Sequence, residues 1–280
     1  MTYDDLWRPL AAIYGSGEAR AIVRCVLEER FGLSVADIYC GKVTQLSPDD
    51  QRLMGEMMER LLRSEPVQYV LGHADFCGRA FSVGPGVLIP RPETEDLCLW
   101  VEQGLAARGC ASPALLDIGT GSGCIAVTLA LDVAGAAVSA WDVSADALQV
   151  ASGNAGRLGA RVGFALVDAL DPPAHTAMWD AVVSNPPYVR LGERAAMARN
   201  VLDYEPAGAL FVPDADPLLF YRAIARYAKA ALRPGGELYF EINEALAGEM
   251  RSLLRAEGFA TAEVRNDRYG RPRFTKSTLE

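Results

Sequence analysis

The chain has 280 residues, half of them hydrophobic and 22% charged, with a net charge of −9. That length and balance suit one large globular domain or two smaller ones built around a real core. No apolar run approaches the roughly 18 residues that span a membrane, and the acidic balance argues against a general nucleic-acid binder, which needs a basic patch or stripe.

The first residues carry Asp4 and Asp5 and no basic stretch, so the N-terminus does not read as a signal peptide. Six cysteines are scattered with no C-x-x-C pair. They read as reduced thiols of a cytoplasmic protein, and neither a zinc site nor a disulfide framework is expected. The two histidines, His73 and His175, sit in no nucleophile or metal motif, which speaks against a Ser-His-Asp hydrolase and a histidine-rich metal centre.

Residues 1–72 are expected to form a helical domain. Over residues 19–31, Ile22, Val23, Val26, Leu27 and Phe31 recur at helical spacing before Gly32 stops the run. Over residues 47–66, Leu53, Met54, Met57, Met58, Leu61 and Leu62 share one face. Ser47 stands where an N-cap belongs, Pro48 follows at the first helical position, and Pro66 ends the segment. The methionine stripe reads as core, or else as an adaptable docking surface. Residues 73–92 change to short β-prone runs broken by Gly and Pro, the pattern of a hairpin linking two domains.

Residues 93–280 read as one domain. A helix opens it, and from about residue 113 strand, turn and helix repeat. The strand candidates are "ALLDI", "AAVSAWDV", "RVGFALVDA", "WDAVVSN", "ELYFEI", "ATAEVRND" and "RPRFTKS". Alternation of β and α at this spacing predicts an α/β fold, a mostly parallel sheet with helices on both faces.

Directly after the first of these strands come Gly119, Thr120, Gly121, Ser122 and Gly123. Glycine there lets the backbone turn sharply and lets a ligand approach without meeting a Cβ. The loop reads G-x-G-x-G rather than the dinucleotide pattern, because Ala126 stands three residues after Gly123, and it lacks the Gly-Lys ending of a phosphate-binding P-loop. Asp142 ends the next strand, nineteen residues after Gly123. A carboxylate there can accept hydrogen bonds from both hydroxyls of a ribose. Asp168, at the end of the third strand, either meets an adenine amino group or caps the following turn. Asn185, Pro186, Pro187 and Tyr188 follow the fourth strand. Two prolines stop a strand dead, yet a plain turn needs only one of them, so this turn is built to hold something. Ligands of open α/β sheets bind at the carboxyl ends of the strands, where all these residues fall.

Taken together, "DIGTGSG", "WDVS" and "SNPPYV" resemble a class I S-adenosylmethionine-dependent methyltransferase. "EPVQYVLG", "GVLIPRPETE", "YEPAGALF", "LRPGGELYFEI" and "DRYGRPRF" extend the resemblance, in order over roughly residues 65–275, to the HemK/PrmC family of release-factor glutamine methyltransferases. The resemblance implies a seven-stranded, Rossmann-like sheet preceded by a small helical domain. It implies S-adenosyl-L-methionine as cofactor, held by Gly119 to Gly123, Asp142, Asp168, Ala169 and Asn185. The implied substrate is the glutamine of the Gly-Gly-Gln motif in class I peptide chain release factors, bound by Asn185, Pro186, Pro187 and Tyr188. A monomer with no metal, no membrane and no nucleic-acid partner is expected. The family often carries an aromatic where this chain has Ala169, so the adenine is expected to pack on Pro172 or another apolar neighbour.

An amide nitrogen is a poor nucleophile, because its lone pair is delocalised into the carbonyl. Asn185 and Pro186 suit that problem as acceptors, the side-chain oxygen of one and the backbone carbonyl of the other taking the two N–H bonds. Tyr188 offers a flat face for a planar amide. With these roles, Asn185, Pro186 and Tyr188 are the candidate catalytic residues. An exocyclic amine on a nucleic-acid base fits the same grip and gives the alternative reading. A cofactor-sensing module without chemistry would have no need of it. In "IPRPETE", Arg91 and Glu93 either order the site or lock the hinge between the domains. The polar stretch 189–205 has the character of a lid, with Glu205 as an anchor at its end.

Overall fold

Helix α1 (Tyr3–Phe31) begins at a reciprocal cap, in which the Thr2 hydroxyl accepts from the Asp5 N–H and the Asp5 carboxylate accepts from the Thr2 N–H. Gly15 breaks its dihedrals at φ 76° and ψ 159°, and Gly32 ends it in the left-handed region. Ser34 caps α2 (Val35–Tyr39) in the same reciprocal way. Helix α3 (Pro48–Leu62) starts where the sequence places it, with the Ser47 hydroxyl accepting from the Asp50 N–H and Pro48 in the first turn. Helix α4 (Val67–Leu71) ends on a left-handed Gly72.

The computed structural model describes all of residues 1–280, and its chain divides into two units: residues 1–74 with 197–204, and residues 75–196 with 205–280. In the first unit Met54, Met57, Met58 and Leu61 are buried in one core with Leu10, Val23 and Leu27. The methionine stripe is therefore core packing and not a docking surface. Leu62, at the end of that stripe, is exposed.

Strands β1 (His73–Phe76) and β2 (Arg79–Ser82) form a hairpin. Cys77 and Gly78 turn it with positive φ at both positions, the geometry whose twist matches a hairpin. Next come α5 (Pro92–Ala107), β3 (Ala114–Ile118), α6 (Cys124–Asp132), β4 (Ala137–Asp142), α7 (Ala145–Leu158), β5 (Val162–Leu166) and β6 (Trp179–Ser184). A two-residue strand β7 (Val189–Arg190) and the short helices α8 (Arg199–Leu202) and α9 (Ala207–Leu210) lead to its partner β8 (Phe211–Val212). The chain closes with α10 (Leu219–Ala231), β9 (Leu232–Glu241), α11 (Ala247–Ala256), β10 (Glu263–Asn266) and β11 (Pro272–Thr278). No helix is long and apolar enough to cross a membrane.

The main sheet has seven strands in the order β10-β11-β9-β6-β3-β4-β5. Pairing is parallel from β9 to β5, and β11 runs antiparallel to both β9 and β10. Each face is covered. Leu97, Val101 and Leu105 of α5 and Ile125, Val127 and Leu129 of α6 fill one core, and Tyr221, Ile224, Met250 and Leu254 of α10 and α11 fill the other. From β3 the strand order runs outward in both directions, to β4 and to β6. That reversal opens a crevice at the carboxyl ends of β3 and β6, where open α/β sheets take ligands.

Candidate active site

A cavity of about 310 Å3 lies at those strand ends. The chain after β3 gives it Gly119 and Gly121, β4 gives Asp142, the chain after β5 gives Asp168 and Ala169, and the chain after β6 gives Asn185, Pro186 and Pro187. Thr120, Ser122, Gly123 and Tyr188 do not line it, and each has other work.

The glycine loop divides by role. Gly119 and Gly121 have φ of 76° and 54°, and a Cβ built on either would meet nothing within 4 Å. Their backbone is left bare toward the cavity. Gly123, at φ 81°, is different, because a Cβ there would lie 2.9 Å from the Ala151 Cβ. It lets α6 and α7 pack. Thr120 is buried and its hydroxyl donates to Asp117 Oδ2 at 2.7 Å. The Ser122 carbonyl accepts from Asn154 Nδ2 at 2.9 Å, which fixes the loop to α7. Asp142 Oδ2 accepts from the Gly121 N–H and Oδ1 from the Ser144 N–H, both at 2.9 Å. Each of its oxygens keeps a second lone pair for a ligand hydroxyl.

Asp168 lies two residues beyond β5 and is exposed. Its Oδ1 accepts from the Leu170 N–H at 2.8 Å, so it caps the turn while also bordering the cavity. Pro172 is not in the cavity wall. The apolar surface on that side comes from Val167 and Ala169 and, from α10, Phe220 and Ile224. An aromatic ring, Phe220, enters this wall from a helix about fifty residues on, where an α10 face turned toward the sheet is legible but its target is not. A bare-backbone loop, a carboxylate with free lone pairs and an apolar wall fit a nucleoside carrying a short polar chain.

The Asn185-Pro186-Pro187-Tyr188 turn is held at both ends by one carboxylate. Asn185 Nδ2 donates to Thr94 Oγ1 at 3.4 Å, and Thr94 Oγ1 donates to Glu241 Oε2 at 2.6 Å. The Tyr188 hydroxyl donates to Glu241 Oε1 at 3.1 Å, and Asn243 Nδ2 donates to the Tyr188 carbonyl at 3.3 Å. Upstream, the Ser184 hydroxyl donates to the Ile118 carbonyl at 2.7 Å, tying β6 to β3 just before the turn. Glu241 is 1% exposed, and burial raises its pKa against the opposing pull of the Thr94 and Tyr188 hydrogen bonds and the Arg273 charge. Burial, with the Glu241 charge beside it, pushes the Tyr188 phenol far above its ordinary value, so it stays a neutral donor.

Arg91 pairs with Glu205 at 2.6 Å, and Glu205 Oε2 also accepts from the Ile89 N–H at 3.0 Å. Glu205 thus anchors residues 89–91 to the chain that delivers Pro206 to the cavity wall. Glu93 lies outside the cavity wall, and its negative charge adds to the upward push on Glu241. Sequence reasoning missed Thr94 and Glu241. A signal existed for the second, since an acid inside "LYFEI" breaks an otherwise apolar strand.

Residues 10–72 match the sequence family described as PrmC N-terminal domain, and residues 103–205 the family described as Methyltransferase small domain. The chain is 45% identical over 266 residues to the release factor glutamine methyltransferase of Bacteroides thetaiotaomicron, covering 94% of each chain. It is 39% identical over 264 residues to the protein of that name in Bordetella pertussis, covering 94% of this chain and 96% of the other. Among solved structures, the 16S rRNA methyltransferase RsmC of Thermus thermophilus, in complex with AdoMet and guanosine, superposes with a TM-score of 0.55 at 19% identity, covering 74% of this chain and 50% of that one. A methyltransferase from Pyrococcus furiosus gives 0.51 at 15% identity, covering 80% and 98%. What these two structures share with the chain is the fold.

Proposed function

Because the chain belongs to the release factor glutamine methyltransferase family, we propose that it methylates the side-chain amide nitrogen of the glutamine in the Gly-Gly-Gln motif of class I peptide chain release factors. S-adenosyl-L-methionine is the methyl donor. The observation that carries the reading is Asn185, which lines the cavity and whose side-chain nitrogen donates to Thr94.

The residues present suit this cofactor. Gly119 and Gly121 expose backbone where a charged amino-acid tail can lie, Asp142 keeps lone pairs for the ribose hydroxyls, and Val167, Ala169, Phe220 and Ile224 give an apolar berth for the adenine. When bound, S-adenosyl-L-methionine supplies a methyl carbon made electrophilic by a positively charged sulfur.

The protein has to orient the glutamine nitrogen and help its lone pair leave conjugation. Asn185 Oδ1 accepts one N–H of the glutamine and the Pro186 carbonyl accepts the other, which turns the lone pair toward the cofactor. Pro186 is buried and its ring fixes φ, so its carbonyl does not wander. Two fixed acceptors act as electrostatic preorganisation, because both bonds strengthen as the nitrogen becomes positive. Pro187 borders the pocket, and Tyr188, outside the cavity wall, holds the end of the turn through its hydroxyl bond to Glu241. No strong base is required, since the nitrogen becomes acidic once methylated and sheds its proton late.

Residues 1–72 act as the docking domain for the release factor, residues 73–92 as the linker and residues 93–280 as the catalytic domain. We assign the reaction to the cytoplasm, where a factor that works on the ribosome acts, and assign the enzyme as a monomer that binds no nucleic acid. Methylation of a nucleic-acid base is not favoured, given the relatives and the net charge of −9. The test is methyl transfer from labelled S-adenosylmethionine to a purified release factor, to its Gln→Ala variant at Gly-Gly-Gln, and to tRNA, rRNA and DNA. Label on the intact factor alone supports the assignment, and label on nucleic acid overturns it.

A further inference from the structure

A threonine hydroxyl has one proton to give and two lone pairs to receive with. In Thr94 that proton is committed. Thr94 Oγ1 donates to Glu241 Oε2 at 2.6 Å, and a hydroxyl has no second proton to give. What Thr94 turns toward Asn185 is therefore lone pairs alone. Only one end of a carboxamide can meet them, the NH2 group, and Asn185 Nδ2 lies 3.4 Å from Thr94 Oγ1. The chain of donors runs one way, from Asn185 through Thr94 to Glu241.

We infer that Thr94 and Glu241 are positioning residues that set the polarity of the Asn185 amide, so that its oxygen and not its nitrogen faces the acceptor. The inference rests on the reading of this site as a glutamine-methylating one, and it deepens that reading. An asparagine free to turn over would present NH2 in half of its orientations. A donor facing the glutamine nitrogen would compete with its N–H bonds and leave its lone pair misdirected. Thr94 and Glu241 remove that choice before substrate arrives.

The location of the two residues supports the assignment. Thr94 is 2% exposed in the first turn of α5, and Glu241 is 1% exposed at the last residue of β9. A buried carboxylate in a central strand is costly. Here one oxygen serves Thr94 and the other serves Tyr188. The same group thereby fixes both ends of the four-residue turn. It also makes the site selective by chemistry: a group that offers two N–H bonds is accepted, and one that offers only lone pairs meets acceptors on both sides.

The test compares Thr94→Val, which deletes the hydroxyl, with Thr94→Ser, which keeps it, in the full-length enzyme with intact release factor. In T94V, kcat should fall about tenfold, equal to about 1.4 kcal/mol in the barrier. KM for the factor and Kd for S-adenosylmethionine should stay within threefold. T94S should recover kcat to within threefold of the parent. A T94V enzyme with kcat within twofold of the parent, or a T94S enzyme as slow as T94V, overturns the inference. A second measurement needs no variant to fold and no turnover. In the parent protein, the Asn185 side-chain NH2 protons should show a nuclear Overhauser contact to the Thr94 methyl group, and its absence overturns the inference. A parent enzyme inert on release factor would instead sink the functional reading, with the Overhauser contact still deciding the orientation of Asn185.

Discussion

The Gly121 N–H donates to Asp142 Oδ2 at 2.9 Å, so the carboxylate at the tip of β4 holds the loop at the tip of β3 in shape. Its other oxygen takes the Ser144 N–H at the same distance. An asparagine at 142 cannot accept at both places, because one of its two groups is a donor. Asp142→Asn should therefore raise Kd for S-adenosylmethionine at least tenfold, read by calorimetry, and should lower the melting temperature by a few degrees. Affinity unchanged within twofold would remove Asp142 from the cofactor site.

Asn185→Ala deletes the acceptor that the mechanism relies on and leaves the glycine loop and Asp142 untouched. Loss of one preorganised transition-state hydrogen bond costs about 100- to 1,000-fold in kcat in comparable sites. The expected result is a fall of that size with Kd for the cofactor within threefold. Turnover at the parent rate would sink the assigned role.

Asp117, behind the loop, is 1% exposed, and burial pushes its carboxyl up to about 7 against the opposing hydrogen bond from Thr120. An acid whose folded pKa lies above its unfolded value keeps a proton in the native state that the unfolded chain has released. Its contribution is full below roughly pH 4 and is lost as the pH rises through about 7. Urea unfolding at pH 5 and pH 8 should show the parent losing stability with rising pH. Asp117→Asn should lose on the order of 2 kcal/mol less over that interval. Parallel losses would mean that Asp117 is ionised throughout.

Gly104 sits in the last turn of α5, and a Cβ there would run into the Tyr239 hydroxyl and lie 2.7 Å from Glu237 Oε2. Gly→Ala in a helix ordinarily gains stability. Here the sign reverses, because Tyr239 is fully buried and its hydroxyl donates to Glu237 at 2.6 Å. Gly104→Ala should destabilise the protein by about 1–3 kcal/mol, as overpacking does. A midpoint at or above that of the parent would show that Tyr239 has room to move.

Leu62 is exposed at the end of α3, and together with Ile13, Tyr14, Arg63 and Asn200 it lines an open groove within the first unit. If that unit docks the release factor, Leu62→Glu should raise KM for the intact factor several-fold and leave KM for a short Gly-Gly-Gln peptide unchanged. Equal effects on both substrates would count against a docking role.

Local rules carried much of this architecture into the sequence. Ser47 and Pro48 start α3 for reasons visible within four residues, and the strand–loop–helix cadence after residue 113 gives the sheet. Gly119, Gly121, Asp142 and Asn185 announce themselves by residue type at the end of a strand, because a parallel sheet brings strand ends together. The partners that orient them do not. Thr94 is 91 residues from Asn185, and Glu241 is 147 from Thr94. Only the packing of α5 across β9 brings the three into one line. Phe220 is hidden for the same reason: amphipathic spacing says that α10 packs on the sheet, but not which of its rings reaches the cavity. Pro172, named for nearness in sequence, lies outside the cavity wall, while Phe220, near only in space, lies in it.

Residues 197–204 belong with the helices at the start of the chain, where the Tyr204 hydroxyl donates to the Arg63 carbonyl at 2.8 Å. The polypeptide consequently passes from one unit to the other three times, after residues 74, 196 and 204. A protease that nicks the chain between residues 74 and 75 would not free the whole amino-terminal unit, because residues 197–204 stay covalently in the other fragment. Nor can the amino-terminal unit be exchanged as a cassette between relatives by a single splice. A graft that took residues 1–74 alone would leave its eight-residue complement behind in the host, facing a surface it did not evolve with.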